Sequence, residues 1–549
     1  MGTVPQVPTP LLAVVAVARP DERAEHVVLL DTEGHQRTAV GSVGGTTGAA
    51  ARRAADDSAE GAPVDPALIE LLGATGKAGE AHSLPDGRWL LGVGNGADPA
   101  GLRRAGATLT AALRGRAERA RPRTSDPTSD PAAAADPASD PAADPASDAR
   151  RDGLSGPKDP DRPVAIGVAE LSEASRAALA VGLILGSHQF RVSQHQPPGP
   201  GRAELVVPEV ELPEAARGVE VAGTLAAATA LARDLASTPS DLKTPTWLVG
   251  TAAELAAEVP GLTAAVWPVE RLAEEGFGGL LAVGGGSSRP PALLRLDWTP
   301  PGAPLDITRH LVLIGKGITF DTGGISIKPA DGMHLMRTDM AGGAAVIAAL
   351  LAIARLGPPL RVTGLVPAAE NHVSGSAYRP GDIVRHYDGT TTEVVNTDAE
   401  GRMVLADALG YAVRELAPDL IVDAATLTGA MKVSLGMRTG GLFASDDELA
   451  DALLTAGERA GERWWRMPLL DHVADDVDST IADLRQAPPG PPAISAAQFL
   501  RRFAGDVPWA HLDIAGPARC DKPYDEVAIG ATGFAARTLV QLALGHAAR

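Results

Sequence analysis

An alternation of extended and helical segments, which begins after residue 270, constrains the fold of this chain more than any other feature. Extended runs lie at 311–315, 361–367, 391–395 and 419–423, and helix-forming runs lie at 344–356 and 403–416. In the run 403–416, apolar side chains recur at the spacing of one helix face. The pattern therefore predicts a mixed, largely parallel sheet flanked by helices, with the chemistry on loops at the strand ends.

The length of the chain indicates more than one domain, because 549 residues are too many for a single core. Scattered strand-like runs and one helical run predict a smaller N-terminal α/β domain over 1–205, and an Ala-rich helix near residue 212 opens a second domain, 206–549. Within the first domain, Ser-Asp-Pro and Ala-Asp-Pro recur over about residues 121–162. Such a segment buries too little apolar surface to offset its ordering entropy, so we expect a disordered insertion.

Charge and cysteine content limit the classes of partner. A formal net charge of -19 disfavours nucleic acids and anionic membranes. The single cysteine, Cys520, excludes an internal disulfide framework and fits a reducing compartment. The apolar run 11–18 is too short to span a bilayer and is wrongly flanked for a secretory signal. We therefore expect a cytoplasmic protein.

The turn 396–402 reads Asn-Thr-Asp-Ala-Glu-Gly-Arg and separates an extended run from a helical one. Asp398 and Glu400 cannot both be ionised at close range without a cation, since like charges force a proton onto one of them. Asp339 precedes another helical run, but a helix N-terminus stabilises a carboxylate by only about 0.3–1 kcal/mol. Several carboxylates gathered in this way therefore indicate a metal site.

A third loop follows the apolar run 311–315 and carries both lysines and glycines. It reads Gly-Lys-Gly-Ile-Thr-Phe-Asp-Thr-Gly-Gly over 315–324 and continues to Lys328. The glycines permit positive φ and a close approach of the backbone to an ion or substrate. A lone lysine is more often a solvated surface residue, so the loop by itself leaves both interpretations open.

Together these motifs resemble the leucyl aminopeptidase (cytosol aminopeptidase) family of two-metal metallopeptidases. The resemblance covers roughly residues 212–545 and is carried, in order, by 315–324, 333–340, 374–382, 396–402, 424–430 and 509–516. It implies a C-terminal catalytic aminopeptidase domain and a macro-like N-terminal α/β domain. The departures from the usual pattern, at Thr322, Gly343 and Pro491-Pro492, fall on none of the implied ligands.

The resemblance also assigns roles to individual residues. The implied metal ligands are Lys316, Asp321, Asp339, Asp398 and Glu400, of which Asp321 and Glu400 would bridge the two ions. The implied catalytic residues are Lys328 and Arg402, and the implied substrate contacts are Met336, Asn396, Thr426, Leu427 and Gly429. Lysine ligates a metal only as the neutral amine, so we expect burial and two cations to lower the pKa of Lys316.

The implied reaction is hydrolysis of the N-terminal peptide bond by a water that two divalent metal ions activate, with release of leucine and similar apolar residues. Lys328 would stabilise the oxyanion, and Arg402 would hold a bicarbonate that shuttles the proton. We expect Mn²⁺, with Zn²⁺ or Mg²⁺ as alternatives, because oxygen ligands accept all three. The resemblance further implies peptide substrates with a free N-terminus, a homohexamer and a role in peptide catabolism.

Other functions have weaker support in the sequence. A glycine pattern at 92–97 suggests a dinucleotide-binding oxidoreductase, but no acidic residue ends a strand about 20 residues later. A catalytically silent relative, acting as a binding or scaffold protein, would lack some ligands, whereas all five are present here. Neither His-Glu-x-x-His nor Gly-x-Ser-x-Gly occurs. We expect His334, His372 and His511 to pack or form hydrogen bonds rather than bind metal.

Overall fold

The computed structural model describes residues 7–21, 23–37, 63–120, 162–193, 201–302 and 309–548. The insertion that we predict at about 121–162 lies outside the described residues, apart from its last position. The chain divides into two compact units, Leu12–Ser187 with Pro198–Val219, and Met1–Leu11 with His188–Pro197 and Glu220–Arg549. The domain boundary at residue 205 stays a prediction.

The first unit contains a mixed sheet with helices. Its strands are β1 (Ala13–Val17), β2 (Glu25–Asp31), β3 (Gln36–Arg37), β4 (Ala81–Ser83), β5 (Trp89–Gly94), β6 (Val164–Gly167) and β7 (Arg202–Val206). The strand order is β1-β7-β6-β2-β5-β4, with β3 paired to β2, and the first five strands of this order run parallel. Its helices are α1 (Pro66–Leu71), α2 (Pro99–Ala120) and α3 (Glu173–Ser187).

The second unit contains the larger sheet and several short strands. Its strands are β8 (Leu262–Trp267), β9 (Ala292–Trp298), β10 (His310–Gly315), β11 (Gly317–Asp321), β12 (Arg361–Asn371), β13 (Ile383–Arg385), β14 (Thr391–Glu393), β15 (Leu420–Ala425), β16 (Thr439–Ala444), β17 (Arg463–Arg466), β18 (Leu484–Arg485), β19 (Trp509–Asp513), β20 (Arg519–Cys520) and β21 (Gly530–Ala531). The large sheet has the order β17-β16-β19-β15-β10-β12-β9-β8, with β11 paired to β12. Strands β13, β14 and β18 form a small separate sheet.

The centre of the large sheet is parallel. Strands β19, β15, β10 and β12 run in one direction, with Leu311 opposite Leu420 on one side and Val362 on the other. Strand β9 is antiparallel to β12, and β16 is antiparallel to β19. Strands β10, β15 and β19 are buried along their whole length, as parallel strands covered on both faces require. The predicted mixed, largely parallel sheet is confirmed.

Helices cover the large sheet on both faces. They are α4 (Leu212–Ser237), which begins in the first unit, α5 (Pro245–Ala257), α6 (Val269–Glu275), α7 (Gly278–Gly284), α8 (Ala341–Leu356), α9 (Glu400–Tyr411), α10 (Gly429–Leu435), α11 (Asp447–Ala460), α12 (Asp471–Ala474), α13 (Pro492–Ala504) and α14 (Ala536–Ala547). One apolar core contains side chains of α5, α8, α11 and α14, and the other contains side chains of α6, α7, α9 and α13.

Helix α8 belongs to the most apolar part of the described chain. The stretch Met333–Leu356 is long and apolar enough to cross a membrane, but 89% of its most apolar window is buried inside the protein. Its hydrophobicity is therefore accounted for by packing in the core. The helix starts at Ala341, three residues before the predicted start, and follows directly on the segment that carries Asp339.

The parallel strands bring the chemically interesting loops to one edge of the sheet. Lys316 follows β10, Asp321 ends β11, Thr426 follows β15 and Asp513 ends β19. We expected helix α9 to begin at Met403. It begins at Glu400, with Ala399 in the N-cap position. Glu400 and Arg402 therefore lie in the first helical turn, where a carboxylate also interacts favourably with the helix dipole.

Candidate metal centre

The turn before α9 is held by hydrogen bonds from neighbouring loops. The hydroxyl of Thr397 donates to the carbonyl of Gly323 (2.7 Å) and accepts from the amide of Ser326 (2.8 Å). The carbonyl of Thr397 accepts from the Asn371 side-chain amide (3.0 Å) and from the Tyr378 hydroxyl (2.8 Å). This turn, 396–402, is thereby fixed against the loop that follows β11. We call it the ligand turn, after the metal-ligand roles that the resemblance implies for Asp398 and Glu400.

Three carboxylates meet at this turn, two of them from the turn itself. Asp321, Asp398 and Glu400 each offer an oxygen atom, and these atoms lie within 4.8 Å of one another. Asp321 and Glu400 are buried, whereas the side chain of Asp398 is 32% exposed. Asp339 is buried beside them, and its Oδ2 has no hydrogen-bond partner although it faces an ammonium group.

Lys316 lies between two of these acids. Its Nζ is 2.7 Å from Glu400 Oε1 and 2.9 Å from Asp339 Oδ2, and it donates to the carbonyl of Thr426 (3.0 Å). Burial alone would lower the pKa of Lys316, but the carboxylates of Asp339, Glu400 and Asp321 together raise it above its usual range. The protein groups by themselves thus favour the ammonium form, and only added cations would produce the lowered pKa that we expected from the sequence.

Lys328 closes the opposite side of the cluster. Its Nζ is 2.7 Å from Asp321 Oδ2 and also contacts Asp398. Its side chain is 20% exposed, so it lies at the boundary between the buried acids and solvent. Burial lowers the pKa of Lys328, but Asp321, Glu400 and Asp339 raise it by more, so it is an ammonium group here.

The titration behaviour of the acids reflects their crowding. Burial, and then the charge of Glu400, raise the pKa of Asp321 to about 6. Burial likewise raises the pKa of Asp339 well above its ordinary value. The pKa of Glu400 is lowered, because Lys316 and Lys328 outweigh the effect of its burial. Carboxylates that oppose each other in this way, with a buried amine among them, are a donor set that fits divalent metal ions.

The guanidinium group of Arg402 has one nitrogen with a hydrogen-bond partner and one buried nitrogen without a partner. Its Nη1 donates to the carbonyl of Gln486 (2.7 Å), and its buried Nε has no hydrogen-bond partner. Burial lowers the pKa of Arg402 to about 10, so the guanidinium remains charged at neutral pH. A buried cation with an unpartnered donor is suited to hold an anion.

The predicted substrate contacts lie on the loops around this cluster. The hydroxyl of Thr426 donates to Asp339 Oδ1 (2.7 Å), and Leu427 and Gly429 follow Thr426 in the same loop. Met336 is part of the 3-10 helix Met333–Thr338, which directly precedes Asp339. Asn396 begins the ligand turn, where its side chain accepts from the amide of Asp398 (2.9 Å).

Three further residues near the site did not emerge from the sequence. Asn371 donates to Asp321 Oδ1 (2.8 Å), Gln486 bonds to the ligand turn, and Asp513 accepts from Leu427 and Thr428. The sequence offered a signal for Asn371. This residue ends β12, which extends the predicted run 361–367, and asparagine is uncommon in β-strands. Asp513 lies in the motif 509–516, but nothing local indicated its contact with the loop after β15, and Gln486 offered no signal, since its partner Asn396 lies 90 residues away along the chain.

Two of the three motif histidines, His511 and His372, have protein partners outside the carboxylate cluster. His511 is buried, with Nδ1 2.5 Å from Asp423 Oδ1, and its ring stacks on those of Trp509 and Phe443. The Nδ1 of His372 faces the carbonyl of Val373 (3.1 Å).

The pattern that defines the cytosol aminopeptidase family, catalytic domain, matches residues 230–540. The chain belongs to the cytosol aminopeptidase family. A probable cytosol aminopeptidase of Roseiflexus castenholzii is 48% identical over 376 residues, which are 67% of this chain and 76% of the relative. Another, of Geobacter sulfurreducens, is 44% identical over 373 residues, which are 67% of this chain and 74% of the relative.

Solved structures agree with the family assignment. The bottromycin maturation enzyme BotP in complex with Mn is similar to this aminopeptidase with a TM-score of 0.73 and 38% identity, over 89% of this chain and 97% of BotP. A tomato leucine aminopeptidase variant is similar with a TM-score of 0.77 and 28% identity, over 99% of each chain. The resemblance and the fold class inferred from the sequence are confirmed. This aminopeptidase is a metal-dependent hydrolase of peptides, and the scaffold alternative is not favoured.

Proposed function

We propose that this aminopeptidase removes leucine and similar apolar residues from peptides that have a free N-terminus, with two divalent metal ions in each subunit. The observation that carries the proposal is the cluster in which Asp321, Asp398 and Glu400 offer oxygen atoms within 4.8 Å of one another beside Lys316 and Lys328. Four carboxylates, with Asp339, would balance two divalent cations.

The proposed ligands differ in how exposed their side chains are, and this difference assigns them to two metal sites. Lys316 and Asp339 would complete the tighter site, and their side chains are only 3% and 8% exposed. Asp398, which is 32% exposed, would serve the more exchangeable site, and Asp321 and Glu400 would bridge the two. Mn²⁺ is the first choice for this oxygen-rich set, with Zn²⁺ or Mg²⁺ as alternatives. Bound metal would supply Lewis acidity toward the scissile carbonyl and toward water.

Lys328 is the proposed electrostatic catalyst. Its ammonium group sits against Asp321 and Asp398 at the partly exposed side of the cluster. A positive charge fixed there would stabilise the negative charge that develops on the carbonyl oxygen during attack. The neighbouring carboxylates keep the Lys328 amine protonated, which this role requires.

Arg402 is proposed to hold a bicarbonate ion, which when bound would supply a proton shuttle for the reaction. The proposal is supported by its buried, unpartnered Nε and by its Nη1, which the Gln486 carbonyl fixes at 2.7 Å. A planar guanidinium can bind a planar anion through two parallel hydrogen bonds, which a lysine cannot do.

Substrate recognition is proposed for the loops that carry Met336, Asn396, Thr426, Leu427 and Gly429. The apolar side chains of Met336 and Leu427 would favour leucine-like first residues, and the small Gly429 would leave room for them.

We also propose a homohexamer, a cytoplasmic location, a role in peptide catabolism, and a division into an N-terminal domain over 1–205 and a catalytic domain over 206–549. The match to the cytosol aminopeptidase family over residues 230–540 lies within the proposed catalytic domain and supports the proposed location and role.

The direct test uses metal-stripped protein reloaded with Mn²⁺ and a leucyl anilide. We expect release of leucine that stops on chelation and returns on reloading, while an N-acetylated leucyl anilide stays intact because it lacks the free amine. The proposal is wrong if the loaded protein leaves the leucyl anilide untouched while Asp398→Ala binds Mn²⁺ as tightly as the wild type.

A further inference from the structure

Gln486 is a buried residue to which neither the sequence motifs nor the proposed mechanism assigns a role. It follows β18, which pairs in parallel with β14, and its exposed fraction is 0%. Its side chain and main chain form five hydrogen bonds to the segment 393–402, which contains two proposed metal ligands and Arg402. The segments that meet here are more than 80 residues apart in the chain.

The side-chain amide of Gln486 bridges the ligand turn. Its Oε1 accepts from the amides of Val395 (3.2 Å) and Asn396 (3.1 Å), and its Nε2 donates to the carbonyl of Ala399 (2.9 Å). The two ends of this bridge lie on either side of Asp398 in the chain. The turn is thus held at both ends by one rigid, neutral group.

The main chain of Gln486 fixes the flanking elements. Its amide donates to the carbonyl of Glu393 (3.0 Å), and its carbonyl accepts from Arg402 Nη1 (2.7 Å). Because Nη1 is engaged, the guanidinium cannot rotate freely, and Nε stays on the edge without a protein partner. The same residue therefore touches the turn that carries Asp398 and the arginine that follows it.

We propose that Gln486 is a positioning residue that sets the ligand turn and the Arg402 guanidinium in one fixed relation. The proposal rests on the proposed function for the roles of Asp398, Glu400 and Arg402. Such a residue has a physical purpose, because repulsion between Asp398 and Glu400 tends to spread the turn, which Thr397 holds from the side of Gly323 and Asn371. A neutral amide opposes this spreading without adding charge beside the metal ligands.

The test compares two variants with a matched control. Gln486→Met removes both polar groups of the side chain at similar volume, whereas Gln486→Glu keeps an oxygen acceptor for Val395 and Asn396 but loses the donor to Ala399. The control is Gln498→Met, since Gln498 is also buried but donates to the carbonyl of Leu470 on another segment. Each protein is measured for amide hydrogen exchange without metal, for Mn²⁺ affinity by calorimetry, and for kcat and KM.

For Gln486→Met we expect faster exchange in peptides that cover 393–402, with exchange elsewhere unchanged. We expect Mn²⁺ affinity to fall by about 10-fold or more, which is the usual effect of losing a group that orients metal ligands. The variant Gln486→Glu should keep the protection of Val395 and Asn396 and lose part of the metal affinity. The control should show wild-type exchange at 393–402 and wild-type Mn²⁺ affinity.

Hydrogen exchange keeps this inference separate from the proposed function. If Gln486→Met leaves exchange at 393–402 and Mn²⁺ affinity at wild-type values, Gln486 does not position the turn, whatever the enzyme hydrolyses. A purely structural role is indicated, and the proposal fails, if Gln498→Met reproduces both effects. If the wild type binds no Mn²⁺ at all, the proposed function fails, and the exchange result alone decides the role of Gln486.

Discussion

The Nζ of Lys316 lies 2.7 Å from Oε1 of Glu400, and the two side chains are 3% and 2% exposed. This buried pair joins the end of β10 to the first turn of α9. It also explains why the position after Glu400 is glycine, because the chain passes directly over the Lys316 side chain there.

Removing the Lys316 charge should destabilise the metal-free protein. In Lys316→Gln, the buried carboxylates of Glu400 and Asp339 lose their nearest cation, and breaking a buried pair costs about 3–5 kcal/mol. Urea unfolding of metal-free protein measures the loss. An exposed lysine, Lys432, provides the control, and Lys432→Gln should change stability by less than about 0.5 kcal/mol. If the two variants unfold at the same urea concentration, the ion pair of Lys316 and Glu400 does not stabilise the metal-free protein.

A methyl group at Gly401 should displace Lys316. A Cβ there would lie 2.7 Å from Cε, 2.8 Å from Cδ and 2.9 Å from Nζ of Lys316, all too close for contact. We expect Gly401→Ala to weaken Mn²⁺ binding by about 10-fold, in the range seen when metal ligands are misplaced. Calorimetric titration of the stripped protein with Mn²⁺ measures it.

The control for that substitution is Gly250→Ala within α5, where a Cβ would meet nothing within 4 Å. Alanine favours a helix over glycine by about 0.8–1.0 kcal/mol, so this variant should gain stability and keep its metal affinity. A Gly401→Ala protein that behaves like the Gly250→Ala protein would show that Lys316 can move aside at little cost.

Replacing Arg402 should affect the rate of catalysis more than metal binding. In Arg402→Lys the charge remains, but lysine cannot hold a planar anion by two parallel hydrogen bonds or reach the Gln486 carbonyl with the same geometry. Loss of a positioned proton carrier costs about 10²–10⁴-fold in kcat. Steady-state kinetics with and without added bicarbonate, together with Mn²⁺ titration, test this. Unchanged kcat, or loss of Mn²⁺ binding alone, would rule out the proposed role.

Metal affinity should rise with pH. Burial raises the folded-state pKa of Asp321 to about 6, so this acid is largely protonated at pH 5 and ionised above pH 7, and burial also raises the pKa of Asp339 well above its ordinary value. A protonated carboxyl group does not ligate, so Mn²⁺ must displace protons at low pH. Calorimetry in two buffers of different ionisation enthalpy measures the protons released per ion. Affinity that is equal at pH 5.5 and pH 7.5 would contradict this expectation.

Local sequence patterns predicted the parts of the fold that depend on neighbouring residues. The alternation after residue 270 correctly predicted the largely parallel sheet, but it did not reveal that β9 and β16 run antiparallel to their neighbours β12 and β19. Strand direction depends on how a distant segment docks, which no short pattern encodes. Helix α9 starts three residues before its predicted start, because an N-cap without a side-chain hydrogen bond leaves no sequence signal.

The sequence by itself determined the residue types and their order, including the crowded acids of the turn 396–402 and the lysines of the loop after β10. Those assignments of individual roles stay predictions, although the structure brings Lys316, Asp321, Asp339, Asp398 and Glu400 into one cluster. Only the tertiary structure decided that the surrounding carboxylates raise the pKa of Lys316 in the metal-free protein and that Gln486 bridges the turn. The reason is that pKa values and long-range hydrogen bonds depend on distances between segments, which packing of the whole core sets.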